Sequence, residues 1–74
     1  MKGLRLTEIK SDGFRGQFSR YYLSEHTLVP QHNRRSFWLS GRIIHHLRSW
    51  REASIYFSTL AKQYDERDIV LEGE

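Results

Sequence analysis

The sequence predicts an α+β fold: a small antiparallel sheet of three or four strands packed by one long C-terminal amphipathic helix. Three observations carry this expectation. The first twenty-odd residues alternate apolar and polar around a turn signal. A polar, proline-containing stretch then separates them from a short aromatic run. From Ser40 to Tyr64 the apolar residues recur at steps of three and four.

Leu4 and Leu6 alternate with Arg5 and Thr7 in GLRLTEIK, which reads as a half-buried strand. Ser11-Asp12-Gly13 follows, and Asp-Gly is a strong hairpin turn because both residues tolerate positive φ. The return run places Phe14, Gly16, Phe18, Arg20 and Tyr22 on one face and Arg15, Gln17, Ser19, Tyr21 and Leu23 on the other. Helical spacing of Phe14, Phe18, Tyr21 and Tyr22 competes with this reading, but Gly13, Gly16 and the aromatic content favour a strand. Gly16 within it marks a bulge or a close approach by another backbone.

Residues 24–35 read as a polar connection. Pro30 disfavours helix at Val29, and Asn33-Arg34-Arg35 closes the segment with turn chemistry and two adjacent cations. Ser36 to Ser40 is a short strand leading into the helix, expected over 41–64 with Ser40 as its N-cap. Ile43, Leu47, Trp50, Ser54, Phe57, Ala61 and Tyr64 form one stripe on it. Ser49 and Glu52 also fit a capping box, so a break near Trp50 into two helices is the alternative. Asp65 to Asp68 is a turn, Ile69-Val70-Leu71 either a terminal strand or a packed tail, and Glu72-Gly73-Glu74 a frayed acidic end.

Seventy-four residues make a single domain, with strands within 3–40, the helix, and an acidic tail over 65–74. A chain this short buries only about 60% of its potential surface, and with no cysteine it has no disulfide. Oligomerisation is the usual remedy. A homodimer is expected, with Ile43, Leu47, Trp50, Phe57 and Tyr64 as its interface or as the core face of the helix. In so small a chain Phe14, Phe18, Phe37 and Trp50 are expected in the core. No apolar run reaches membrane-spanning length and the N-terminus lacks a signal-peptide core. The expected compartment is the cytosol, or the nucleus of a eukaryote.

Charge is unevenly placed. Residues 1–51 hold ten of the twelve Lys and Arg against Glu8, Asp12 and Glu25, and residues 52–74 hold two cations against six acids. Nine of the twelve cations are Arg, the side chain suited to forked phosphate contacts and to stacking on flat rings. A basic half that also carries Phe14, Phe18, Tyr21, Tyr22, Phe37 and Trp38 has the composition of a nucleic-acid surface.

Phe14-Arg15-Gly16, Ser19-Arg20-Tyr21-Tyr22, Val29-Pro30, Arg34-Arg35 and Phe37-Trp38-Leu39 fall in the order turn, strand end, connection and strand. Together they resemble the single-stranded-DNA-binding transcriptional coactivators of the positive-cofactor-four type, and more distantly the Whirly and purine-rich-element-binding proteins. The resemblance spans about residues 4–64. Ser19 departs from the family's apolar alternation, His32-Asn33 enlarges the connection, and the acidic tail has no counterpart. The resemblance implies a dimer with its helices at the interface and curved sheets holding unpaired DNA, in transcription or replication regulation. On this reading Arg5, Arg15, Arg20, Arg34 and Arg35 contact the phosphate backbone, and Tyr21 and Trp38 stack on bases.

The alternative is a small protein-binding regulator, such as a phage-type inhibitor of a host polymerase or nuclease, docking on an acidic protein surface. Trp38, Tyr21, Tyr22, Arg34 and Arg35 would then be its hot spots. Catalysis is not expected. There is no GxSxG elbow, no phosphate-binding glycine loop before a helix and no paired-carboxylate arrangement. His45 and His46 are adjacent and cannot share a metal as an i, i+4 pair would; His26 and His32 have no evident carboxylate partner. No cofactor and no metal are expected. Gly13-Phe14-Arg15-Gly16 is formally the GxxG of a backbone-clamping loop, but it sits in a hairpin rather than between helices.

Overall fold

A computed structural model describes residues 1–32 and 34–73; the expected turn at Asn33 and the fraying of Glu74 lie outside it. The long helix is absent. Five strands, β1 (Lys2–Gly13), β2 (Gly16–Gln31), β3 (Arg34–Trp38), β4 (Arg42–Leu47) and β5 (Ile69–Gly73), form a curled mixed sheet. One short helix, α1 (Trp50–Ala61), lies against one face of it, and a 3₁₀ turn over Glu66–Asp68 precedes β5. No helix among the described residues is long and apolar enough to cross a membrane.

The β1–β2 hairpin is the scaffold. Its pairing runs from Lys2 opposite Thr27 to Gly13 opposite Gly16. The turn is Phe14–Arg15, not Ser11-Asp12-Gly13, because Gly16 supplies the positive φ (113°) that closes it, while Asp12 still pairs with Gln17. β2 then continues through the stretch read as a connection. Leu28 keeps the alternation and is buried, and Pro30, which has no N–H to give, falls where the β2–β3 register shifts.

β3 and β4 lie end to end along the same edge of β2: Trp38 pairs with Leu28, and Leu47 with Tyr21. The break between them sits at Gly41, where a Cβ would run into the Glu25 carbonyl oxygen and the His26 ring. His26 holds the break from the other strand. Its Nδ1–H donates to the Leu39 carbonyl at 2.9 Å, and its Nε2 lies 2.8 Å from Ser24 Oγ.

Residues 42–47 are therefore strand where the stripe predicted helix. Tyr21 to Glu25 would otherwise present unpaired backbone groups at an edge, and the β-branched pair Ile43-Ile44 suits a strand. A bulge near Ser24 places Ile43 opposite Ser24 and His45 opposite Leu23, and the intervening Ile44 packs against the core. The helix starts where the capping box allowed. Ser49 is the N-cap, its Oγ accepting from the Glu52 amide at 3.2 Å, but what precedes it is strand.

The core lies between α1 and one face of the sheet: Leu4, Leu6, Tyr21, Leu23, Leu47 and Ala53 are buried, with Ile44, Phe57, Leu60, Ala61 and Tyr64 packed against them. The helical stripe is thus Ala53, Phe57, Leu60 and Ala61, rotated from the one expected, with Tyr64 packing just beyond the helix end. Leu47 belongs to a strand, Phe57 and Tyr64 are used internally, and Ile43 and Trp50 are more than half exposed, so these five residues do not form one helical dimer face. The expected aromatic core is also corrected: Phe14, Phe18, Phe37 and Trp50 are exposed, the core being chiefly leucine.

Two polar contacts join β1 to β2, and a third ties the segment after α1 to the sheet. Tyr21 donates to Glu8 at 2.8 Å, which raises its pKa, and its ring lies 5.8 Å from that of Trp50. Tyr64 donates to Glu25, which also accepts from Lys2 at 3.3 Å. Burial, and then this bond, push Tyr64 up to about 12. The same phenol, ahead of Lys2 and Arg42, holds Glu25 below its ordinary value.

Candidate nucleic-acid interface

Pleating sends Tyr21 and Leu23 to the helix side and Phe18, Arg20 and Tyr22 to the other, helix-free face. Arg20 places its guanidinium carbon 5.2 Å from the centre of the Phe18 ring. Tyr22 meets His46 of β4 edge to face at 4.9 Å, so neighbouring strands each contribute a ring. With Arg48, where the chain bends after β4, these side chains line an open groove of about 520 Å³. Rings and cations share a concave, solvent-facing surface there, a combination suited to flat bases joined by phosphates.

A second groove, of about 600 Å³, lies toward the other end of β2. Arg34, Arg35 and Trp38 line it together with Glu66, Arg67 and Asp68. The cations of β3 and the carboxylates of the 3₁₀ turn therefore occupy the same groove. Trp38 lies so close over Gly3 that a Cβ there would come within 2.5 Å of the ring. The Arg5 guanidinium packs 5.2 Å from its centre, and the His26 ring stands 5.4 Å away. Arg5 also pairs with Glu72 at 3.3 Å, without hydrogen-bond geometry at Nε. Glu72 is thus in β5, not in a frayed tail.

The residues singled out from the sequence separate accordingly. Arg20 lies in the first groove and Arg34, Arg35 and Trp38 in the second. Arg5 is packed under Trp38 and paired, which leaves it little freedom to reach a phosphate. Arg15 is at the hairpin turn, far along the chain's ribbon from either Arg34 or Arg35. Tyr21 also borders the first groove, but it is 7% exposed and bonded to Glu8, so little of its ring is free to stack on a base. Helical spacing over 42–48 conceals His46 and Arg48, and the Phe18-Arg20-Tyr22 alternation gives the shared face only, Phe18 being expected in the core and Tyr22 as a protein-binding hot spot. His45 and His46 point to opposite faces, His45 packing 4.6 Å from Tyr56 of α1.

No protein-family model, curated protein or solved structure matches this chain.

Proposed function

We propose that this protein binds single-stranded nucleic acid, DNA in the first instance, through the helix-free face of its sheet, and does so without catalysis. The observation that carries the reading is the Phe18, Arg20, Tyr22, His46 and Arg48 groove. Aromatic rings there give bases something to stack on, at about 1–3 kcal/mol each. Adjacent guanidinium groups neutralise phosphates and release counterions. Arg34 and Arg35 add cations in the second groove, beside Glu66 and Asp68. Control of transcription or replication, in the cytosol or nucleus, is the setting such a partner implies.

The test is fluorescence anisotropy with a labelled ~20-nucleotide unstructured DNA strand. Replacing Arg20 and Arg48 together by Ala should weaken binding at least ~10-fold, through two lost phosphate contacts. Replacing Arg51 and Lys62, at the two ends of α1, should leave it unchanged. Equal losses in both variants would reduce the effect to net charge and remove the groove as the site. If neither single nor double strands bind, the same surface belongs to a protein partner.

A further inference from the structure

Among the described residues no strand flanks the hairpin beyond Glu8 on β1 and Tyr21 on β2: the pairing of β5 reaches Glu8 and that of β4 reaches Tyr21. From the Ile9–Arg20 pair to the Gly13–Gly16 pair it is a two-stranded ribbon, in a molecule 48 Å long and only 22 by 17 Å across. This arm carries Lys10, Arg15 and Arg20 against the single carboxylate Asp12. At its turn Phe14 is fully exposed, at 104% of its reference area. The next aromatic, Phe18, is supported by its own chain, its ring lying where a Cβ on Gly13 would come within 2.8 Å. Phe14 has no such support. An apolar ring held at the end of a cationic ribbon gains nothing for this fold.

We infer that the arm is a wedge that enters a paired segment of the nucleic acid and puts Phe14 against a base step where pairing ends, so that the preferred substrate class is a junction of single and double strand. This rests on the reading above and adds the paired half. Apolar side chains such as Phe unstack base steps when driven between them, and the cations of the arm neutralise phosphates of the strand that leaves the junction. The groove with Arg20 and Tyr22 begins at the base of the arm, so one polynucleotide reaches both: the last base pair meets Phe14 at the turn, and the unpaired strand runs back along the ribbon to the sheet face.

The experiment compares three probes, a single strand, a blunt duplex and a duplex with a single-stranded tail, the last carrying 2-aminopurine at the junction step. The tailed duplex should bind about tenfold more tightly than either other probe, and 2-aminopurine emission should rise as its neighbour is unstacked. Phe14→Ala should abolish the emission change and bring the tailed duplex down to the affinity of the single strand, with single-strand binding unaltered. Because Phe14 packs on nothing, that variant keeps the fold. An unchanged emission response in Phe14→Ala, or equal affinities for tail and single strand in the wild type, overturns the wedge alone. Failure of all three probes to bind overturns the wedge and the nucleic-acid reading together.

Discussion

Tyr64 donates its phenolic hydrogen to Glu25, joining the segment that follows α1 to the middle of β2 across 39 residues of sequence. Because Glu25 also pairs with Lys2, one carboxylate connects the first strand, the second strand and the end of the helix. Tyr64→Phe removes the hydroxyl while keeping the ring against the core. A hydrogen bond to a charged acceptor contributes about 1.5–3 kcal/mol, so the variant should lose about that much stability in urea unfolding at neutral pH. A midpoint equal to the wild type's would show that the bond contributes nothing net.

The same pair sets the pH profile. Glu25 is held below its ordinary 4.5 in the folded chain, so its contribution is complete above that value and disappears as acid protonates the folded carboxylate. Tyr64 is raised from 10.0 to about 12, so its contribution is complete below pH ~10 and is lost as pH climbs toward 12. Tyr64→Phe should flatten the stability curve at both ends. Parallel curves for variant and wild type would place the titrating groups elsewhere.

Gly41 is where backbone approaches backbone. A methyl group there meets the Glu25 carbonyl and the His26 ring, and a strand's carbonyl cannot swing aside as a side-chain end can. Gly41→Ala should cost about 1–3 kcal/mol by forced displacement of β4 from β2. Hydrogen exchange should show it as faster exchange across β2–β4 than across β1–β2. Unchanged protection at β4 would mean that the break absorbs the methyl group.

Ser49 decides where strand gives way to helix. Its Oγ accepts the Glu52 amide, one of the donors a helix start leaves unpaired. Ser49→Ala should destabilise the protein by about 1 kcal/mol, and Ser49→Asp should restore most of it. Equal destabilisation by Ala and Asp would argue against a capping role.

Alternation carried the parts of the fold that the sequence made legible. Leu4 and Leu6, and then Tyr21 and Leu23, sit on one face, and Phe18, Arg20 and Tyr22 on the other, as period-2 spacing predicts. The long helix failed for a physical reason: steps of three and four through Ile43, Leu47 and Trp50 arise by coincidence when a strand with a bulge runs into a helix. The local evidence against it was Ile43-Ile44, and the Ser49–Glu52 capping box marked the true start. Pro30 and the polar residues around it hid the second half of β2, because an edge register shift accommodates proline without ending the strand. The site was half legible. Arg20, Arg34, Arg35 and Trp38 line grooves, whereas Tyr21 borders one with its ring mostly buried, and His46 and Arg48 surface only because β4 is a strand.

The most direct test of nucleic-acid binding by the open face is the salt dependence of affinity for the ~20-nucleotide single strand, in the wild type and in Arg20→Ala/Arg48→Ala. Log affinity should fall linearly with log salt, and the slope of the double variant should be shallower by about 1.4, near 0.7 for each phosphate contact removed. Identical slopes for the two proteins, or an affinity independent of salt, would contradict the account.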